Sequence, residues 1–411
     1  MKEKYTRRAE RIMARIHELA AISDDADGIT RTLGSPAFMV GRSLVLSWMR
    51  EAGLQVRKDN AGNARARLLS PKAGAKTFVI ASHIDTVVHA GRFDGPLGVL
   101  LGLDLLERLK AADVSLPFHL ELIAFSDEEG VRFHSTYLGS KAVAGSFEKE
   151  LLSKTDASGI SLAEVLSAMG GDPDFVQEDA LEGWLGYFEV HIEQGPVLYQ
   201  EGLPAAVVTA IAGQRRRELV FRGQAGHAGT VPMDRRADAL CGAAAFILEA
   251  ERWAKAAGVV ATVGKLQVHH AASNVIPGEV VCSLDLRSAD EALLQRSEEA
   301  LQQACADLCR QRGLAFEWNP VQQSAPVACS PQLQQLLAEA IKEAGYPPVF
   351  LVSGAGHDAV PVSAVAPVCM LFVRCFEGIS HHPLEQVEEP DIAAALEIAD
   401  NFMQHLIQHY S

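Results

Sequence analysis

The chain has 411 residues, 48% of them apolar, and a formal net charge of −15. That length argues for two domains, and the acidic balance argues against nucleic acid or an anionic membrane as partner, since both demand basic patches. No apolar run approaches the roughly 20 residues needed to span a bilayer. Residues 1–20 are charged and helical in pattern, with Ile12, Ile16 and Leu19 on one face, and lack the apolar centre of a signal peptide. Seven scattered cysteines with no CxxC pair read as reduced thiols of a cytoplasmic protein. Cys305 and Cys309, four apart in a helical stretch, read as core packing. The one basic cluster, Arg215-Arg216-Arg217, is too short to change the charge argument.

From about residue 40 to 210, helical and strand patterns alternate. The pattern predicts a helix over 40–52, strands over 63–68 and 78–81, a helix over 98–110, a strand over 118–125 and, after a more polar stretch, a strand over 186–192. Such alternation predicts a layered α/β domain, a mixed sheet flanked by helices. After Gly213 the pattern changes to strand 217–222, helix 235–256, strands 259–268 and 279–287, helix 289–312 and strand 314–321. That order, β-α-β-β-α-β, is the split βαβ arrangement of a small ferredoxin-like two-layer domain. The first pattern then resumes with helix 332–343, strand 368–373 and helix 391–409. The expected organisation is a discontinuous domain, 1–211 and 326–411, interrupted by an insertion, 212–325.

Polar groups able to bind metal gather where apolar strands end. After 78–80 come His83, Asp85 and Asp94-Gly95, and imidazole with carboxylate suits a divalent cation; a plain polar loop is the other reading. In AFSDEEG (124–130), Glu128 and Glu129 follow a strand, where one carboxylate could bind metal while its neighbour moves protons; a solvated acidic turn is the alternative. EVHIEQG (189–195) sets His191 in an apolar strand, a position equally suited to a core histidine. SGAGHDA (353–359) carries His357 and Asp358 in a glycine-rich turn that could simply cap a helix. GISHHPLE (378–385) places His381 and His382 before a proline, as a surface loop also could. Five such clusters in a chain with 14 histidines are too many for coincidence.

With these motifs in view, the sequence resembles the M20 metallopeptidase-like superfamily, in its branch of allantoate amidohydrolases, N-carbamoyl-L-amino-acid hydrolases and β-ureidopropionases. SHIDTV, the Asp94-Gly95 pair, DEEG, HIEQGPVL, GHAGTVPMDRR, SNVIPGEV, LDLRS, SGAGHDA and GISHHP carry the resemblance in order over nearly the whole chain. It implies a discontinuous catalytic domain with an inserted lid and dimerisation domain, and two divalent ions, Mn²⁺ or Zn²⁺, per subunit. By resemblance the ligands would be His83, Asp94, Glu129, His191 and His382, with Asp94 bridging. Glu128 would be the general base, and Asp85 would orient His83 from behind.

The same resemblance implies a substrate clamp. Positions Gln214, His227, Asn274 and Arg287 of the insertion, and the backbone of Gly356, would hold substrate, with Arg287 suited to a carboxylate. His227 would reach the other subunit's site and stabilise the developing oxyanion, which implies a homodimer; His357 would be an auxiliary contact near the metals. Gln214 after Gly213 and the phrase GHAGTVPM look most like the allantoate enzymes, so hydrolysis of the ureido bond of allantoate is expected. An N-carbamoyl-L-amino-acid hydrolase or β-ureidopropionase is the alternative. A catalytically dead scaffold is the alternative of a different class; it would be marked by loss of a ligand or of Glu128, and all are present.

Overall fold

Four strands of the larger unit lie side by side and parallel, in the spatial order His119–Phe125, Thr77–His83, Trp184–Ile192 and Val368–Val373. Their sequences are nearly continuous apolar runs, as strands buried on both faces must be; Thr77–His83 and Val368–Val373 are buried at every residue. Further strands, joined by antiparallel pairing at Ala64–Leu68 and Ala205–Ile211, complete the mixed sheet. Ala64–Leu68 and then Gln55–Lys58 extend one side, and Ala205–Ile211 extends the other, flanked by Val327–Ala328 and Phe350–Ser353. The computed structural model describes residues 2–411, Lys2 by its backbone alone.

The chain divides into two units, one reaching to Thr209 and resuming over Cys329–Ser411, the other spanning Ala210–Ala328; the sequence predicts these limits at 212 and 325. In the larger unit, helix Pro36–Glu51 begins where Ser35 Oγ accepts the Phe38 N–H with proline in the first turn. Helix Pro96–Ala111 is buried along most of its length against the parallel strands. Arg8 ties two terminal helices to it, its guanidinium bonding Asp104 at 2.7 Å and Asp400 at 2.6 Å. Both acids are buried, so the charges are paired where water cannot solvate them.

The inserted unit has its own five-stranded antiparallel sheet, ordered Leu266–Val268, Glu279–Ser288, Gly213–Arg222, Ala315–Ser324, with Val260–Thr262 also paired to Glu279–Ser288. Glu279–Ser288 alternates buried and half-buried residues, as a strand with one face on a core does. Helices Ala239–Ala257 and Glu291–Arg312 cover that core, which includes Phe221, Phe246, Leu284, Leu294, Cys305 and Cys309. The strand expected over 259–268 is broken in two around Gly264. No helix among the described residues is long and apolar enough to cross a membrane.

Candidate metal centre

Because the four central strands run the same way, their carboxyl ends form one edge, where α/β sheets build their sites. His83 ends its strand and His191 is next to last in its own. Asp127, Glu128 and Glu129 follow Phe125, and the segment after Val373 brings in His381. Asp94 precedes helix Pro96–Ala111, and Gly95 between them has φ 85°. A Cβ at Gly95 would stand 2.6 Å from the His83 ring, so the Asp-Gly pair is what lets carboxylate and imidazole share the spot.

Asp94 is the hub. Its Oδ1 lies 3.4 Å from His83 Nε2 and 3.2 Å from His191 Nε2. Its Oδ2 lies 3.3 Å from His381 Nε2, which is also 3.4 Å from Glu129 Oε1. Three sets offer ligand atoms within 4.8 Å of one another: His83, Asp94 and His191; Asp94, Glu129 and His381; His83, Glu128 and Glu129. The two carboxylate oxygens of Asp94 thus face different sets.

The surroundings aim these groups. His83 Nδ1 lies 3.1 Å from the Asp85 carbonyl, and His191 Nδ1 lies 2.9 Å from the Ile192 carbonyl. A carbonyl only accepts, so each Nδ1 carries a proton, and each Nε2 is the atom that would offer a lone pair to a cation when the ring is neutral. The Asp85 carboxylate has a second task beside His83. It accepts the backbone N–H of Glu128 at 3.0 Å and of Glu129 at 3.1 Å, and stands 3.5 Å from His83 Nδ1. Asp85 therefore meets His83 through its backbone carbonyl and, at longer range, its carboxylate, and the same carboxylate anchors the acidic pair.

Negative charge is in surplus. Asp85, Asp94, Asp127, Glu128, Glu189 and Asp358 are all buried. Burial pushes the Glu128 carboxyl well up, with Glu129 and Asp358 adding to the rise against the opposing pull of His83. Burial and the Asp94 charge raise Glu129 to about 7. Burial opposes charge on both His83 and Asp94 but is outweighed: the Asp85 and then the Asp94 carboxylate hold His83 well above the usual imidazole value, and His191, with His381 and His83 behind it, holds Asp94 well below the usual carboxylate range. Both oxygens of Asp127 and one each of Glu189 and Asp358 lack a hydrogen-bond partner. Buried carboxylates in this state are stabilised by a cation. Imidazole nitrogen and carboxylate oxygen without thiolate suit Zn²⁺, Mn²⁺, Co²⁺ or Ni²⁺.

Other expected residues fall as follows. His382 does not join these groups: it is exposed, and its Nδ1 accepts the Leu384 N–H at 3.2 Å. His381, at φ 55° and itself exposed, is the histidine of the pair whose Nε2 reaches Asp94 and Glu129, because adjacent side chains diverge. His357 is buried edge-on to His191, with ring centroids 4.5 Å apart and Nε2 2.7 Å from Ser353 Oγ. Burial pushes its pKa well down, so the ring is neutral and packs behind the ligands. Gly356 is where the Tyr137 hydroxyl passes over the backbone, leaving no room for a Cβ.

In the inserted unit, Gln214 and Arg287 are direct cross-strand partners. Arg287 Nε and Nη2 bond the two Asp285 oxygens at 2.8 Å each. His227 and Asn274 come together in a short ribbon, where Val275 faces His227 and the Ala228 N–H donates to the Asn274 carbonyl at 2.9 Å. His227 is exposed. Gln194, absent from the expected site, donates from Nε2 to Asp94 Oδ2 at 2.7 Å, and Ser380 Oγ lies 2.8 Å from the same oxygen. Gln194 lies inside the HIEQGPVL motif and has φ 57°, a local sign of constraint.

Comparison with known proteins agrees with this geometry. Residues 79–405 match Peptidase family M20/M25/M40. The chain is 38% identical to an N-carbamoyl-L-amino acid amidohydrolase of Geobacillus stearothermophilus, covering 97% of this chain and 98% of that protein. It is 39% identical to an allantoate deiminase of Arabidopsis thaliana, covering 93% and 79% respectively. An amidase of the hydantoinase/carbamoylase family from Burkholderia multivorans superposes with a TM-score of 0.91 at 35% identity, over 97% of this chain and 98% of that one. The chain belongs to the M20/M25/M40 family. It is a hydrolase of C–N bonds within a metal-dependent family, and it carries residue groups suited to a metal.

Proposed function

We propose that the protein is an allantoate amidohydrolase of purine breakdown: it hydrolyses the ureido C–N bond of allantoate with two divalent cations, Mn²⁺ or Zn²⁺, per subunit. The product would be ureidoglycine, or ureidoglycolate derived from it, with ammonia and carbon dioxide released. The observation that carries the two-ion reading is Asp94, whose two oxygens serve two ligand sets. His83, Asp94 and His191 would hold one ion; Asp94, Glu129 and His381 would hold the other. Bound there, divalent ions polarise a carbonyl and acidify water. Glu128, in the His83–Glu129 set, takes the water's proton on its carboxylate and returns it to the leaving nitrogen. Asp85 keeps Glu128 in place through its backbone N–H.

The inserted unit supplies recognition. Arg287, held by Asp285 through Nε and Nη2, would pair with the substrate carboxylate. Gln214 opposite it, with Asn274 and the Gly356 backbone, would contact the ureido and amide groups, and His357 would steady the ligands from behind. His227, exposed on its ribbon, would act in the partner subunit of a homodimer formed through the inserted unit. Mixing inactive Glu128→Gln and His227→Ala subunits would then restore activity; no recovery in verified mixed dimers would refute sharing.

Gln214 and the Arabidopsis relative support allantoate; the Geobacillus relative supports N-carbamoyl-L-amino acids as the second reading. Ammonia release from allantoate, N-carbamoyl-L-amino acids and N-carbamoyl-β-alanine, with Mn²⁺ supplied, decides between them. The highest kcat/KM is expected on allantoate; a higher value on an N-carbamoyl amino acid would overturn that choice.

A further inference from the structure

Glu385 is 2% exposed and belongs to none of the three ligand sets. Its Oε1 accepts two backbone N–H groups, from Phe93 at 2.7 Å and from Asp94 at 3.1 Å. Its Oε2 lies 3.1 Å from Ser380 Oγ, and that hydroxyl lies 2.8 Å from Asp94 Oδ2. With one proton, the hydroxyl donates to one carboxylate at a time. A Cβ at Gly91 would overlap the Glu385 side chain, so glycine there leaves room for this carboxyl. Glu385 thus bonds, within one short span, the backbone carrying Asp94 and the segment carrying His381.

These two residues are needed together at only one of the two proposed ion positions. The His83, Asp94 and His191 set rests on strand ends, with both imidazoles aimed by backbone carbonyls. The Asp94, Glu129 and His381 set depends instead on the 379–385 segment staying beside Asp94. A carboxylate that serves two ions must also be fixed in rotation, and the oxygen facing His381 is the one that Ser380 and Gln194 reach. We infer that Glu385 is a positioning residue for the Asp94–Glu129–His381 pocket, holding its two loops together so that losing Glu385 weakens one bound ion and spares the other.

The inference rests on the two-ion reading, and one experiment separates their failures. Metal-free wild type, Glu385→Ala, Glu385→Gln and Ser380→Ala are titrated with Mn²⁺ by calorimetry, and the ions are counted by elemental analysis. Wild type taking fewer than two ions would sink the two-ion reading itself. With two bound, Glu385→Ala is expected to hold one ion at wild-type affinity and the other ~10–100-fold more weakly, the range for lost outer-shell support. Glu385→Gln keeps an amide oxygen for the Phe93 and Asp94 N–H groups, so it should recover most of that affinity. Ser380→Ala should weaken the same ion, identified as the one that His381→Ala abolishes. A purely structural role would lower metal-free stability without favouring either ion. Equal weakening of both ions, or of neither, overturns the inference. If Glu385→Ala does not fold, Ser380→Ala decides alone on the same criterion.

Discussion

Asp85→Ala should damage the ion-loaded protein far more than the metal-free one. The Asp85 carboxylate, 1% exposed, is the acceptor for the Glu128 and Glu129 N–H groups. Alanine leaves both amides without a partner, at about 1–3 kcal/mol each for a buried donor, or about 2–6 kcal/mol together. In the metal-free chain two effects offset this. A buried charge is removed, and so is its repulsion of Asp127, Glu128 and Glu129, all of which it pushes upward. Bound cations already neutralise that repulsion, so the loaded form bears the whole cost. Urea unfolding of the metal-free variant is expected within about 2 kcal/mol of wild type. Ion affinity is expected to fall ~10–100-fold, and turnover with it. Asp85→Asn keeps one acceptor and should fall between. The bond from His83 Nδ1 to the Asp85 backbone carbonyl survives the change, while its 3.5 Å contact with the carboxylate is lost. Wild-type ion affinity and turnover in Asp85→Ala would refute the reasoning.

His381→Ala should lose one of the two ions and at least ~100-fold in turnover, judged against outer-shell losses, whereas His382→Ala forfeits one exposed bond worth about 0.5–1.5 kcal/mol and keeps both ions. Equal effects of the two changes on ion count would contradict the assignment. Glu128→Gln should retain both ions, counted by elemental analysis, and lose nearly all turnover; a variant keeping most of its rate would exclude Glu128 as base. His381 is raised from 6.5 to about 9, first by its bond to Asp94 and then by the Glu129 charge. A raised imidazole stabilises the metal-free fold below about 6.5, and that contribution fades as pH climbs through about 9. Binding an ion needs the neutral ring. Loading near neutral pH should therefore release protons, and affinity should rise with pH toward about 9; calorimetry in buffers of different ionisation enthalpy that finds no proton release would contradict this.

The parallel core of the fold could be read from apolar runs whose ends carry His83, Glu128, Glu129 and His191, because buried strands and the polar groups after them leave a one-dimensional trace. Other strands left none, among them three of the larger unit. Gln55–Lys58 has a single apolar residue, Phe350–Ser353 is short, and Ala205–Ile211 is apolar but for Thr209 and rich in alanine, so neither period nor propensity marks it. The choice between His381 and His382 turns on one left-handed residue, which adjacent identical side chains cannot reveal. Glu385 stands in the quoted GISHHPLE motif, yet its partners Phe93 and Asp94 lie nearly three hundred positions away. Its meaning exists only once the chain has closed. Likewise, both strands bearing Gln214 and Arg287 show in the pattern, but the register that makes the two residues partners comes from pairing.

The central claim is that Asp94 joins two ions at the carboxyl edge of the sheet. Its most direct test is a crystal structure of the Mn²⁺-loaded protein with anomalous scattering measured at the manganese edge. The account predicts two peaks, one among His83, Asp94 and His191 and one among Asp94, Glu129 and His381. A single peak, a peak coordinated by His382, or none at this edge would contradict it.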